Sequence, residues 1–517
     1  QLLTEDYYAA AKLVKGFLGT NNLDSNSRLC MSSAVAGYVG ALGSDGPPAC
    51  YADIDATDCL LLAGTNTAAC HPIVWARITA RHREGAGLIV VDPRRTPTAA
   101  AADIHLPIRP GTDLPLLSAM LVVLADDGLL DRLFIERHTE GFAQALAVAR
   151  EWPVERAGEV CGVPAADIVA AARRFGQAPR AMALWSMGIN QSTVGTLKNR
   201  ALINLCLATG NIGRLGSGPL SLTGQPNAMG GRESGGLSTL LPGYRSVADP
   251  EHRAQMRRLW SIPSGAAGIS PVPGIPATEL VEALEARAVK VVWIAGTNPV
   301  VSQPEARRFA AALRRAELLV CQDAYHPTET SALAHVVLPA AAWPEKDGTM
   351  TNSERRVTLV RSALKPPGEA LPDWEIFARL GRALGHRGQF GWRSAAQVYD
   401  EYVITTEGRL CDVRGLSHER LRDGPVQWPA PARGDAVERG GTERLYASLR
   451  FPTPTGRAGF ASITHRDPAD RPSPDFPLVL MTGRLANHWH TMTRTAKSPD
   501  LAAGETEPFL ELHPADA

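Results

Sequence analysis

The sequence predicts a chain of class α/β, built from two doubly wound domains related by duplication, and three observations carry that expectation. Apolar strand-like runs alternate with amphipathic helical stretches, the pattern of parallel sheets covered on both faces. One strand-plus-turn signature occurs twice, 232 residues apart (Gly64 and Gly296). The length of 517 residues also exceeds what one hydrophobic core supports.

The first copy opens at "DCLLLAGTNT" (58–67), an apolar strand ending in Gly64, Thr65 and Asn66; the second opens at "KVVWIAGTN" (290–298), ending in Gly296, Thr297 and Asn298. One strand later "GLIVVDPRRTPT" places Asp92 at a strand end and "LLVCQDAYHPTET" places Asp323 there. A third strand follows in each, at "AADIHLPIRPG" and "LAHVVLPAAAW", with Pro107 and Pro339 in register. Between the landmarks, "HPIVWARITARHRE" and "PEARRFAAALRRAE" carry apolar residues at helical spacing. Linker-like composition marks 262–277 and 422–441. Ligands of such sheets bind at the carboxyl ends of strands, where glycine lets a phosphate approach and an acidic residue suits a ribose or a guanine edge. Two halves of this kind predict two nucleotide-like ligands or one pseudo-symmetric ligand; ordinary β–α turns are the plain alternative.

Composition narrows the classes. Hydrophobic residues make up 44% and charged residues 21%, and Lys plus Arg equals Asp plus Glu at 53 each, so no global charge calls for nucleic acid or a membrane surface. No apolar run approaches the roughly 20 residues of a membrane span. The eight cysteines form no Cys-x-x-Cys pair, which points away from a zinc ribbon or a compact iron–sulfur motif within these residues and fits a reducing cytoplasm. The chain opens at Gln1 without Met and closes on "EPFLELHPADA", which reads as truncation at both ends.

Three segments could carry chemistry. In "SNSRLCMSSAVAGY" (25–38), Cys30 follows Arg28 and precedes a helical stretch, the setting of a stabilised thiolate that serves as nucleophile or soft-metal ligand; a buried structural cysteine is the alternative. "SLTGQPNAMGGRESGG" (221–236) sets Gln225, Asn227, Arg232 and Glu233 among glycines, which suggests backbone wrapped around a ligand rather than a surface loop. "MTGRLANHWHTMTRTAKSP" (481–499) crowds Arg484, His488, His490, Thr491 and Arg494 after the apolar "FPLVLMTG", suiting a charged phosphate ligand or polar heterocycle. "TMTNSERRV" (349–357) is a further run of donors or a solvated turn before a charged strand.

Taken together, "NSRLCMSSAVAGY", "GTNTAACHPIVWARI", "VVDPRRT", "PGTD", "TGNIGRLGSGPLSLTGQPNAMGGRE", "AGTNPV", "VLPAAAWPEKDGTMTNSERR" and "TGRLANHWHTMTRT" resemble, in that order, the molybdopterin oxidoreductases and most closely the assimilatory nitrate reductases. The resemblance implies molybdenum held by two molybdopterin guanine dinucleotides, with Cys30 as its protein ligand. It implies that Asn66, His71, Asp92 and Asp113 line one dinucleotide site, while Gly188, Asn190, Gly296, Asn298, Gln322 and Asp323 contribute to the other. Gln225 and Arg232 would face the metal, with Arg232 holding anionic nitrate, and Asn352, Thr482, Arg484, His490 and Thr491 would approach the pterins. It also implies a shared cofactor cleft between a discontinuous domain (1–35 and 236–470) and a second domain (36–235), with 471–517 opening a C-terminal β-rich domain. A [4Fe–4S] cluster is implied with ligands outside this chain. Nitrate is the implied substrate, and a flavoprotein, ferredoxin or flavodoxin the implied electron donor, with no nucleic-acid or membrane partner. A formate dehydrogenase-like enzyme shares fold and cofactor, but that branch typically sets its ligand before His, whereas Cys30 precedes Met31. A molybdenum-free scaffold subunit is the non-enzymatic rival; it has no need of Cys30, Arg232 or the paired motifs.

Overall fold

The computed structural model describes residues 2–432, 438, 440–504 and 507–517. In the first half, Cys59–Ala63 is the middle strand of a five-stranded parallel sheet. It is flanked by Gly87–Val91 and Ala181–Trp185, and Ile104–Leu106 and Gly218–Ser221 form the edges. The three inner strands are buried at every position, which is why their sequences are continuously apolar. One face packs on Val74 and Ile78 of helix Pro72–Arg83; the other packs on Ala165–Gln177 and Gly195–Ala208.

The second half repeats the plan with three parallel strands, Val291–Ala295, Leu318–Asp323 and Val336–Pro339, Leu318–Asp323 lying in the middle. The duplication read from the sequence extends to backbone detail. Gly64 and Gly296 are both left-handed, with φ of 55° and 63°. Each donates its N–H over 2.9 Å to a carbonyl at the end of the neighbouring strand, Val91 and Gln322 respectively. An antiparallel unit follows, Gly348–Thr351 against Arg356–Val360 with Val426–Gln427 alongside.

Helix Thr4–Ala11 ties these parts together. It is buried at every position, so it has no polar face to turn to water, and its charged residues find partners far along the chain. Asp6 meets Lys346 at 2.7 Å, Glu5 accepts from the Thr349 N–H at 2.8 Å, and Lys12 just beyond the helix pairs with Glu401 at 2.6 Å.

Two expectations need correction. The apolar run 476–481 suits a strand, yet among the described residues of 471–517 there is no strand, and Phe476 and Leu480 are 77% and 80% exposed. A strand requires a neighbour to take its N–H and C=O groups, and none lies beside this stretch among the described residues. The glycines of 221–236 were expected to wrap a ligand. Instead most serve packing: a Cβ on Gly230 would lie 2.7 Å from Thr4 Oγ1, and one on Gly231 3.0 Å from the Tyr7 ring. They let helix Ala228–Glu233 approach helix Thr4–Ala11. The linker-like stretch 422–441 falls partly outside the described residues.

Gly64 yields a test of the strand-end turn. A Cβ there would sit 2.8 Å from the Gly188 carbonyl carbon, on top of the left-handed φ, whereas Gly85 is left-handed but faces open space. Gly85→Ala should cost only the left-handed penalty of about 1–2 kcal/mol. Gly64→Ala should cost clearly more in urea denaturation, and equal costs would refute the backbone clash.

Candidate functional site

Cys30 closes the one-turn helix Ser27–Cys30, just ahead of Ser32–Leu42. It is 6% exposed, and its Sγ lies 3.6 Å from Met187 Sδ. Met187 begins the turn after strand Ala181–Trp185 and is a neighbour that the sequence reading missed; its position directly before Gly188 was the available signal. Burial pushes the Cys30 thiol up to about 11, against the Gly224 N–H and the Arg232 charge, which pull it down. This corrects the expected Arg28-stabilised thiolate: Arg28 is committed to Asp24 at 2.9 Å and to Ser238 at 3.2 Å. A cation bound at the sulfur would supply the charge that burial withholds.

Arg232 is fully buried, and its guanidinium is held by Asp45, Ala228 and Met31. Nε donates to Asp45 at 2.6 Å, and Nη1 donates to the Ala228 carbonyl at 3.0 Å and to Met31 Sδ at 3.3 Å. Burial opposes its charge, yet Asp45 holds its pKa above the ordinary value. Arg232 thus meets partners inside the protein: Asp45 balances its charge, and the Ala228 carbonyl and the Met31 sulfur take its Nη1 hydrogens. It braces Met31, whose sulfur also accepts from the Thr223 hydroxyl at 2.9 Å, and so positions the residue next to Cys30. The neighbouring Glu233 accepts from Trp428 Nε1 at 2.5 Å and from Thr351 at 3.0 Å.

The structure brings Gln225, His490, Arg484 and His71 together. Gln225 Nε2 lies 3.5 Å from His490 Nε2. Burial and then Arg484 lower the pKa of both histidines, that of His71 to about 4. Gly483, Arg484, Leu485, His488, His490 and Met492 line a cavity of about 240 Å³. Thr491 bonds Thr493 at 2.9 Å, and Thr482 is exposed.

The strand ends hold the remaining candidates. Asp92 accepts from the Arg94 N–H and Asp323 from the Tyr325 N–H, both at 2.9 Å, a matched pair of turns. Burial raises the pKa of both carboxyls. Gly188, grouped by the resemblance with Gly296, lies in the five-stranded half and donates to the Gly64 carbonyl at 3.0 Å. Asn190 is satisfied internally by Asn199 and Ser221. Asp113 is spent on Lys198 at 2.6 Å. The Asn352 carboxamide caps its own hairpin, accepting from the Glu354 and Arg356 N–H groups, so the turn reading of 349–357 is the one this geometry favours. Gln322 donates to Asp373 at 2.6 Å, leaving its Oε1 buried without a partner. Gln225 Oε1 and His488 Nε2 are likewise unsatisfied.

These groups fit the implied cofactor. An orphaned buried acceptor costs about 1–3 kcal/mol, so such atoms suit a polar ligand that completes them. Among the described residues, no three His, Cys, Asp or Glu converge to hold a metal. A soft ion at Cys30 would thus draw its other donors from a bound organic group.

The paired α/β halves and the buried Cys30 sulfur agree with the molybdopterin oxidoreductases. The chain belongs to that family: residues 1–383 match the family described as Molybdopterin oxidoreductase, and 478–517 match the Molydopterin dinucleotide binding domain. The cofactor assigned above, molybdenum with two molybdopterin guanine dinucleotides, follows from that membership. The chain is 51% identical to a nitrate reductase of Synechocystis sp., over 99% of this chain and 71% of that protein. It is 37% identical to the F420-dependent formate dehydrogenase subunit alpha of Methanocaldococcus jannaschii (99% and 74%) and 36% identical to the assimilatory nitrate reductase catalytic subunit of Bacillus subtilis (100% and 72%). Acetylene hydratase from Pelobacter acetylenicus shares the fold, with a TM-score of 0.65 at 23% identity over 86% of this chain and 60% of that one. Among the described residues, no helix is long and apolar enough to cross a membrane.

Two measurements test the buried charges. Arg232→Ala leaves Asp45 without its partner and should cost about 3–5 kcal/mol in denaturant unfolding; a loss under about 1 kcal/mol would mean the pair is solvated. Glu233 is raised to about 7, chiefly by burial, from an ordinary value of 4.5. The fold therefore favours its protonated form, and that stabilisation is whole below about pH 4.5 and fades as pH rises through about 7. Relative to Glu233→Gln, the wild type should lose up to about 1.4 kcal/mol per pH unit across that window. A flat difference in urea midpoints would refute it.

Proposed function

We propose that this chain is the central part of an assimilatory nitrate reductase, reducing nitrate to nitrite at a molybdenum centre with two molybdopterin guanine dinucleotides. The reading rests most on Cys30, a buried thiol beside Met187 in the turn after strand Ala181–Trp185. Its following residue is Met31, not the His of formate-type enzymes, and a nitrate reductase stands at 51% identity against 37% for a formate dehydrogenase. When bound, the cofactor supplies two-electron oxygen-atom transfer between nitrate and nitrite.

The chain's own residues hold and shape that centre. Cys30 gives the soft donor, and the Gly224 backbone pulls its thiol pKa down against burial. Met31 and Met187 wall the sulfur with polarisable, apolar surface and keep water from it. Arg232 keeps Met31 in place, while His71, Arg484 and His490 gather as a group of donors. Both histidines are kept neutral at physiological pH, so each can accept as well as donate a hydrogen bond. Electrons would come from a flavoprotein, ferredoxin or flavodoxin through a [4Fe–4S] cluster bound outside this chain.

Cys30→Ser exchanges a soft donor for a hard one. Viologen-driven nitrate reduction by the holoenzyme should fall on the order of a hundredfold or more, with melting nearly unchanged. Formate oxidation without nitrate reduction in the wild type would overturn the substrate, and full activity in the variant would overturn the ligand.

A further inference from the structure

The two halves share a side-chain device that their sequence motifs do not announce. Each carries a Thr-x-Thr, Thr96-Pro97-Thr98 and Thr328-Glu329-Thr330, again 232 residues apart (98 and 330). The first threonine of each serves its own turn: Thr96 Oγ1 accepts from the Ala99 N–H at 3.2 Å, and Thr328 Oγ1 from the Ser331 N–H at 3.0 Å. The second reaches across to the strand-end asparagine. Thr98 Oγ1 accepts from the Ala68 N–H at 2.9 Å and donates to Asn66 Oδ1 at 3.0 Å. Thr330 Oγ1 accepts from the Val300 N–H at 3.1 Å and donates to Asn298 Oδ1 at 2.6 Å. Both hydroxyls are fully buried.

The geometry has a chemical consequence. Asn66 and Asn298 are N-caps, and an N-cap asparagine ordinarily spends its oxygen on the second or third N–H of its helix. Neither does so here; the distant threonine caps that N–H instead. Each hydroxyl accepts one backbone N–H and gives its proton to the asparagine oxygen, so the carboxamide turns its NH2 away from the threonine. We infer that Thr98 and Thr330 are matched positioning residues, turning Asn66 and Asn298 so that each offers an N–H donor to an acceptor-rich group of the bound dinucleotide. This rests on the cofactor reading above and names how the chain prepares for it. The halves are unequal: Asn298 is also held by the Thr330 N–H at 3.2 Å and by Glu329, to which its Nδ2 donates at 2.7 Å. Among the described residues, Thr98 is the one hydrogen-bond partner of the Asn66 carboxamide.

The test uses the full-length holoenzyme, following release of guanine nucleotide per polypeptide on dilution, with melting temperature as the control. Thr98→Val should speed nucleotide loss from one half on the order of tenfold, Thr98→Ser should restore the wild-type rate, and Thr330→Val should act less than Thr98→Val. Asn66→Asp keeps the acceptor for Thr98 but removes the donor, and should lose nucleotide while still folded, so the idea stays testable even if Thr98→Val does not fold. Wild-type retention in Thr98→Val or Asn66→Asp, or failure of the serine rescue, overturns the inference while leaving the cofactor reading intact. A wild-type protein that carries no guanine nucleotide overturns both.

Discussion

The Lys346 ammonium, sealed between Asp6 and Asp373, is the constraint on which the second half depends. Burial works against its charge, but the two carboxylates outweigh that and hold its pKa above the ordinary value. Asp6 also accepts the Leu3 and Trp374 N–H groups, and Asp373 accepts from Gln322. One cation thereby joins the first helix, the approach to the antiparallel unit, helix Asp373–Ala383 and a strand end of the three-stranded sheet. Buried ion pairs add little net stability because desolvation is costly, but a wrong neighbour would strand a charge, so they select one arrangement. The selection reaches the ligand side: with its NH2 taken by Asp373, Gln322 can only turn its oxygen into the interior.

Much of the fold was legible because parallel sheets write themselves as apolar runs. "DCLLLAG" and "GLIVV" are buried on both faces, so every position reports the strand, and the helices between them show their buried stripe. The duplication was legible because left-handed turns demand glycine, and Gly64 and Gly296 mark them at a fixed interval. The run at 476–481 misled because strand propensity describes a residue's fit to a sheet, not whether a partner strand is beside it. The glycines of 228–236 misled for a related reason: closeness to another helix and closeness to a ligand select the same residue.

The site was legible in its landmarks and hidden in its wiring. Cys30 stands out by its motif, but its neighbours come from 157 and 201 residues away, as Met187 and Arg232 contact Cys30 and Met31. Nothing local announces that Asp45 will take Arg232, or that Lys198 will take Asp113. Charged residues read one at a time all look available to a ligand. Their pairing is decided only by the fold, which is how Arg232 comes to brace Met31 while paired with Asp45.

The exposed run from Phe476 to Met481 has a practical side. It is an uncharged, apolar stretch open to solvent, and Phe509, Leu510 and Leu512 expose further apolar side chains around Glu511. Identical stretches on two molecules can zip edge to edge, since each offers the ladder the other lacks. Handled by itself at high concentration, this polypeptide would be prone to self-association, and a charged residue placed within 476–481 would be the natural guard against it.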